Sequence, residues 1–148
     1  MKTVKDLLQD KPSNVWSISP KAKVFDALKY MSEKKIGALV VIDEKGQTAG
    51  IMSERDYARK VILLGKTAKE TAVEEIMTPV DQMYHIKPEN TVEECMILMT
   101  VKHIRHLPVC DEGKLLGLIS IGDAVKSSIS EKDALIEQLS NYIAGKYM

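Results

Sequence analysis

The pattern of hydrophobic and polar positions occurs twice along the chain. Apolar residues recur at i, i+3, i+4 and i+7 in two separate stretches, which is the spacing of one face of an amphipathic helix. These positions are Val24, Ala27, Leu28 and Met31 in the first stretch and Val92, Cys95, Met96 and Met99 in the second. Each predicted helix is followed by two short strand-like runs with glycine in the turn between them, which predicts a hairpin.

The repeat is also visible as identical residues. Residues 18–56 align with residues 86–123 after one deletion at Lys45, and 14 of the 38 aligned pairs are identical. Upstream, residues 4–8 resemble residues 73–77, and each of these segments predicts a short helical turn that leads into its own repeat. The chain is therefore expected to contain two copies of one structural unit.

Each repeat has the same predicted order of elements. A short extended piece precedes the first helix, the hairpin follows it, and a second helix begins at Ser53 or Ser120. This β-α-β-β-α order predicts an α/β fold with small mixed sheets and two pseudo-symmetric repeats. The predicted boundaries are 1–69 for the first repeat, 70–127 for the second repeat and 128–148 for a C-terminal helical tail.

Two helices carry signals for their ends. The second helix of the first repeat is expected to begin at Glu54 and to end near Gly65, because glycine readily adopts the left-handed conformation of a C-cap. In the tail, Ser130 and Asp133 resemble a capping box. The apolar side of the helix that follows is expected either to pack on the protein's own fold or to form a dimer contact. Its residues are Ile136, Leu139 and Ile143.

Composition and charge narrow the class of protein. The 148 residues include 21 basic and 21 acidic side chains, so the basic footprint of a nucleic-acid binder is missing. The sequence contains no run of about 18 apolar residues, so it predicts no membrane span. The N-terminal residues are charged and lack the apolar core of a secretory signal. We interpret Cys95 and Cys110 as small buried hydrophobic residues in a reducing compartment. A cytoplasmic protein is expected, with neither nucleic acid nor membrane as a partner.

The strand-to-helix junctions show a family resemblance. Residues 50–56 read GIMSERD, residues 117–123 read GLISIGD, and residues 104–109 read IRHLPV. With these motifs and this order of elements, residues 1–127 closely resemble a tandem pair of cystathionine-β-synthase (CBS) domains.

The resemblance implies a fold and a function. Two such repeats would fold against each other as a Bateman module with two clefts, which in the family commonly take AMP, ADP, ATP, NAD or S-adenosylmethionine. It also implies a homodimer and looks like the stand-alone pairs that have no attached enzyme. Any regulated partner would then be a separate protein chain.

The serine and aspartate of each junction allow two interpretations. Ser53 with Asp56, and Ser120 with Asp123, have the spacing of a capping pair that stabilises a helix by about 1 kcal/mol. The same helix start presents free N–H groups that can receive a phosphate. In that interpretation the serines donate to phosphate or ribose, while the aspartates accept both ribose hydroxyls. The two roles are compatible, and the sequence leaves both open.

The strand that precedes each junction differs between the repeats. Arg105 and His106 stand where the first repeat has Gly37 and Ala38. Arg105 offers a fork of donors that fits a phosphate, and His106 could donate as well, with a charge that depends on pH. A solvated strand end is the alternative. The two clefts are therefore expected to be unequal.

In the first repeat, other cations could take the place of Arg105 and His106 as donors to a phosphate. Arg55 and Arg59 follow its junction, and the alternative for both is a solvent-exposed helix charge. Neither a metal site nor a required cofactor is expected. The predicted ligand-binding residues are Gly37, Ala38, Ser53, Arg55, Asp56, Arg59, Arg105, His106, Pro108, Ser120 and Asp123.

Three classes of function can be compared on these features. A sensor of an adenosyl ligand is favoured by the doubled junctions and by the Arg105–His106 pair. An enzyme is disfavoured, because nothing places a histidine between a serine and a carboxylate, and neither a P-loop nor a dinucleotide motif is present. An oligomerisation or protein-docking module with empty or vestigial clefts is the alternative, supported by the C-terminal helix and the weaker first cleft.

Overall fold

A computed structural model describes residues 2–11, 15–129 and 133–145, except for the side chains of 133–136. Its helices are α1 (Val4–Gln9), α2 (Val24–Lys34), α3 (Glu54–Tyr57), α4 (Val73–Ile76), α5 (Val92–Lys102), α6 (Ile121–Ile129) and α7 (Asp133–Ile143). Its strands are β1 (Ser17–Ile18), β2 (Ala38–Ile42), β3 (Thr48–Ser53), β4 (Thr78–Pro79), β5 (His106–Asp111) and β6 (Lys114–Ser120).

The predicted β-α-β-β-α order and the mixed α/β class are confirmed. In the first repeat, β1 runs parallel to β2, the β2–β3 pair is an antiparallel hairpin, and β4 pairs with the other edge of β3. In the second repeat, β5 and β6 form the corresponding hairpin. Ile86 makes a single parallel bridge to Val109, at the place where β1 pairs Ile18 with Val41.

The second helix of the first repeat is less regular than predicted. After α3 the chain widens into a π-helical turn (Ala58–Ile62), in which the Leu63 N–H donates to the Ala58 carbonyl at 3.1 Å. Gly65 follows with a φ of +72°, so the predicted glycine stop is confirmed. The apolar spacing predicts only a regular helix, because a bond from i to i+5 has no residue signature of its own.

The described residues form two compact units that divide the chain differently from the sequence repeats. The second-repeat unit combines residues 2–11 with the residues from His85 onward, and the first-repeat unit runs from Val15 to Tyr84. Each unit has its own buried core, which contains the apolar stripe of α5 in one and of α2 in the other. The repeat boundaries 1–69 and 70–127 remain predictions.

The two lead-in turns are helical, but each packs on the elements of the other repeat. The Val4 N–H of α1 donates to the Asn90 carbonyl at 2.8 Å, and the Val73 N–H of α4 donates to the Ala22 carbonyl at the same distance. Each turn thus leads into its own repeat in chain order, as expected, and packs on the elements of the other repeat. Both turns carry the same apolar spacing, so sequence alone does not assign either turn to a core. The buried pairs are Val4 with Leu7, and Val73 with Ile76.

The C-terminal tail contains helix α7. The predicted cap at Ser130 and the side chain of Ile136 lie outside the described residues. Leu139 and Ile143, which belong to the described part of the apolar side, are 45% and 83% exposed. In the part of the chain that the structure describes, no helix has both the length and the apolar character needed to cross a membrane.

Both cysteines have free thiols. Cys95 is buried in the core of the second-repeat unit, and Cys110 is half-buried in β5. Burial raises the pKa of the Cys95 thiol to about 11. Cys95 therefore stays protonated at neutral pH and packs as a small hydrophobic residue.

Candidate functional site

Both strand-to-helix junctions form a capping box. The Ser53 Oγ accepts from the Asp56 N–H at 3.2 Å, and the Asp56 Oδ2 accepts from the Ser53 N–H at 2.9 Å. The corresponding distances between Ser120 and Asp123 are 3.1 and 2.8 Å. The capping interpretation is confirmed for both pairs. Because a carboxylate has about four acceptor positions, capping leaves room for further contacts.

Asp123 has a second partner, Lys11. The Lys11 Nζ lies 2.7 Å from the Asp123 Oδ2 and donates to the Leu118 carbonyl at 2.9 Å. The side chains of Lys11 and Asp123 are 33% and 26% exposed, so the ion pair is partly shielded from solvent. The two residues stand 112 positions apart, and neither spacing nor motif connects them. They meet because α1, which precedes Lys11, packs in the second-repeat unit.

Asp56 takes its lysine from its own helical segment. The Lys60 Nζ lies 3.3 Å from the Asp56 Oδ1 and donates to the Ile76 carbonyl at 3.0 Å. The i, i+4 spacing is a sequence signal for this pair, although Arg55 and Arg59 are the cations predicted here. Both oxygens of Asp56 therefore carry contacts among the described residues, whereas the described contacts of the Asp123 side chain all fall on Oδ2.

In the first-repeat unit the start of β2 lies beside the junction. The Glu54 N–H donates to the Gly37 carbonyl at 3.1 Å, and the strand register places Ala38 opposite Ser53. The structure thus brings Gly37, Ala38, Ser53 and Asp56 together, and their ligand contacts remain predictions. Neither Gly37 nor Ala38 adds a polar side chain there.

In the second-repeat unit the start of β5 lies at the equivalent place and brings polar side chains. The Ile121 N–H donates to the Arg105 carbonyl at 2.8 Å, and the register places His106 opposite Ser120. His106 is half-buried and Arg105 is exposed. Because of the α1 packing, this junction combines Arg105 and His106 with Lys11.

Electrostatic interactions at the second-repeat junction shift two pKa values. Burial lowers the pKa of His106 below its usual 6.5; Lys11 and Arg105 lower it further, and Asp123 opposes them. Burial raises the pKa of Asp123, but hydrogen bonds from Lys11 and from the Ser120 N–H outweigh it, so the net pKa lies below 3.8. At neutral pH the junction therefore contains an ionised aspartate, a neutral histidine and two cations.

For three of the predicted ligand-binding residues, the described contacts do not include the serine and aspartate of either junction. Arg55 and Arg59 are exposed, on α3 and on the π-helical turn. Pro108 is buried in β5, where its carbonyl accepts from the Ile86 N–H at 3.0 Å. Their ligand contacts remain predictions. Among the described residues, no three histidine, cysteine, aspartate or glutamate side chains are grouped so that they could hold a metal ion.

The glycine that precedes each junction allows a close approach of the protein's own chain. A Cβ on Gly50 would collide with the Thr78 carbonyl oxygen, and a Cβ on Gly117 would lie 2.6 Å from the Leu8 Cδ2. Thr78 follows the lead-in turn α4, and Leu8 belongs to the lead-in turn α1. Glycine at these positions is therefore explained by the packing of α4–β4 and α1 against the hairpins.

Comparison with known proteins decides the family. The family profile of the CBS domain matches residues 4–62 and again residues 73–130. The chain belongs to the CBS domain family. Its two CBS repeats contain the two junctions described above, so the family assignment and the internal repeat agree.

Solved and curated relatives support this assignment. A CBS-domain protein from Burkholderia ambifaria is similar in structure, with a TM-score of 0.83, 47% identity and coverage of 89% of this chain and 97% of that one. CBS domain-containing protein CBSX3, mitochondrial, from Arabidopsis thaliana is 41% identical over 84% of this chain. The part of this chain that matches covers only 61% of the length of that plant protein.

A further solved relative contains a nucleotide. The structure of CBSX2 in complex with AMP has a TM-score of 0.67 to this chain at 28% identity, with coverage of 87% of this chain and 97% of that one. A pair of CBS domains is a regulatory module, and this relative of the pair binds AMP.

Proposed function

We propose that this CBS pair is a sensor module that binds an adenine nucleotide or another adenosyl ligand and catalyses no reaction. The candidate ligands are AMP, ADP, ATP, NAD and S-adenosylmethionine. The observation that carries the proposal is the second-repeat junction, where the capped start of α6 lies beside one carboxylate and several nitrogen donors.

The chemistry of this junction suits a ribose phosphate. The start of α6 offers a partial positive charge, and Arg105 and Lys11 add full charges that favour an anion. The Asp123 Oδ2 holds both the cap and Lys11. Its Oδ1 is therefore available among the described contacts to accept ribose hydroxyls in charge-assisted bonds. The AMP complex of CBSX2 supports a ligand of this class.

The same geometry argues against catalysis by a serine triad. Ser120, His106 and Asp123 are neighbours, but the Ser120 Oγ accepts from the Asp123 N–H. Among the described hydrogen bonds, none joins the His106 ring to Ser120 or Asp123. A serine nucleophile needs a histidine that accepts its proton and a carboxylate that orients that histidine. Here the Asp123 carboxylate instead accepts a hydrogen bond from the backbone N–H of Ser120 at the helix start.

Calorimetric titration with AMP, ATP, NAD and S-adenosylmethionine tests the proposal. We expect at least one of them to bind, and binding should raise the melting temperature with ligand concentration. Asp123→Asn should raise the Kd about tenfold or more, because charge-assisted bonds to ribose are lost while an oxygen remains for capping. Asp56→Asn is the matched control, with a smaller expected effect. Flat titrations with all four ligands would overturn the proposal, and conversion of the nucleotide during incubation would refute the absence of catalysis.

A second candidate function is a docking or oligomerisation module with empty clefts. Exposed apolar side chains favour it: Ile97 and Val101 on α5 are 62% and 61% exposed, and Ile129 on α6 is 60% exposed. Under this candidate the chain would form a homodimer or bind a separate regulated protein. Light scattering of the purified protein measures its mass, and an adenine absorbance in the same sample would favour the sensor instead. A homodimer and a cytoplasmic location remain predictions.

A further inference from the structure

Lys11 is the residue of the second-repeat junction that comes from farthest along the chain. It follows α1, and its ammonium group makes two contacts among the described residues, to the Asp123 Oδ2 at 2.7 Å and to the Leu118 carbonyl at 2.9 Å. An ammonium group has three donors. Among the described contacts, one N–H of Lys11 is therefore left for a further acceptor.

The first repeat has no equivalent of this lysine. When residues 4–8 are aligned with residues 73–77, the position of Lys11 corresponds to Val80, which is 52% exposed. Asp56 is paired instead with Lys60, which reaches the opposite carboxylate oxygen and is tied to the Ile76 carbonyl. The two junctions are thus matched in their caps and different in the origin and placement of the lysine.

The charge balance of the second-repeat junction depends on Lys11. With Lys11, the ionised Asp123 is neutralised locally, and Arg105 leaves a net positive charge beside the start of α6. Without Lys11, a half-buried carboxylate would face an incoming phosphate, and of the two cations described at this junction the exposed Arg105 would remain to offset it. Coulomb interactions between partly shielded groups a few ångströms apart are much less screened than those at the open surface.

We propose that Lys11 makes the second-repeat junction selective for adenosyl ligands that carry a phosphate over those that carry none. This inference rests on the proposed function and deepens it. Lys11 neutralises Asp123, so that the carboxylate can hold the ribose without repelling the phosphate, and its remaining N–H can donate to a phosphate oxygen. AMP, ADP and ATP belong to the favoured class, and adenosine and S-adenosylmethionine to the disfavoured class.

The test compares the affinities of AMP and adenosine in an Asp56→Asn background, in which the first-repeat junction has lost its carboxylate. Lys11→Met should raise the Kd of AMP about tenfold, the effect of losing one charge-assisted contact. The Kd of adenosine should change less than about twofold, since adenosine carries no charge that Lys11 could attract. Lys11→Arg keeps the charge and should keep most of the preference for AMP.

Lys21→Met is the matched control. It removes a different lysine–carboxylate pair, Lys21 with Glu74 at 3.1 Å, in which the side chains are 73% and 39% exposed. It should leave both affinities unchanged. Melting temperatures of all variants check that each one is folded.

The outcomes separate this inference from the proposed function. If the parent protein binds none of AMP, ATP, NAD and S-adenosylmethionine, the sensor function fails and the selectivity fails with it. If it binds S-adenosylmethionine or adenosine but not AMP, the selectivity alone is overturned. If the parent binds AMP but Lys11→Met weakens AMP and adenosine equally, Lys11 acts only on the structure of the junction, and the selectivity alone is overturned. Tighter AMP binding by Lys11→Met would also overturn it, because Lys11 would then compete with the ligand for Asp123.

Discussion

Asp56 and Asp123 hold the same position in the capping box at the start of a helix, but each has a different lysine as its ion-pair partner. Lys60 stands one turn beyond Asp56 on the same helical segment, whereas Lys11 reaches Asp123 from the lead-in segment 112 residues earlier. The comparison separates two requirements. The serine and aspartate serve the helix start, which both repeats need, and the surrounding charges can therefore differ between the repeats without loss of fold.

The strand beside each junction extends this contrast. Gly37 and Ala38 leave the first-repeat junction without added polar groups, while Arg105 and His106 supply donors at the second. Two copies of one backbone thus present different chemistry. Two pairs of substitutions at matched positions, and one histidine substitution with a control in the same unit, test how far the two repeats differ.

The largest effect is expected from the lead-in turns. Leu7→Ala and Ile76→Ala each remove a side chain that is at most 4% exposed, and each should lower the free energy of unfolding by about 3 kcal/mol. Hydrogen exchange would locate the loss. Leu7→Ala should expose amides of β5 and β6, and Ile76→Ala those of β2 and β3, because the turns pack in those units. Loss of protection in the repeat that follows each turn along the chain would contradict the described packing.

An intermediate effect is expected at the paired glycines. Gly50→Ala should lower the free energy of unfolding by about 2 kcal/mol, because the new Cβ meets the backbone carbonyl of Thr78. Gly117→Ala should cost less than about 1 kcal/mol, because the Leu8 side chain can change its rotamer. Denaturant titration of both variants measures the difference. Equal losses would mean that the two hairpins are packed with equal rigidity.

The smallest effect is expected from His106. Its lowered pKa means that the unfolded state binds more protons than the native state as the pH falls below 6.5. The contribution of His106 to the free energy of unfolding should therefore be fully present above pH 6.5 and decrease below it. The slope should be at most about 1.4 kcal/mol per pH unit for one proton. His106→Ala introduces the residue that the first repeat has at the aligned position, Ala38, and should make stability depend less on pH in this range.

The control for this profile is His85→Ala, which removes an exposed histidine of the same unit. Denaturation midpoints between pH 5 and pH 8 provide the measurement. An unchanged slope in His106→Ala would show that other groups cause the decrease.

Local features of the fold could be predicted because they depend on neighbouring residues. The helices at α2 and α5 follow from apolar spacing, and the capping boxes follow from a serine and an aspartate three positions apart. The π-helical turn after Tyr57 could not be predicted, because the apolar spacing there also suits a regular helix. The Lys60–Asp56 pair had a signal, since i, i+4 neighbours lie on the same side of a helix.

The doubled β-α-β-β-α order, the two helix starts and the charged strand of the second repeat all follow from the residue pattern. Tertiary structure alone decided that α1 fills the core of the second-repeat unit and that α4 fills the core of the first. Both turns present a valine and a larger apolar residue at the same spacing, so burying either turn in either core would give a similar hydrophobic stabilisation. The pairing of Lys11 with Asp123 depends on that choice, because an ion pair across 112 residues forms only when packing brings its members together.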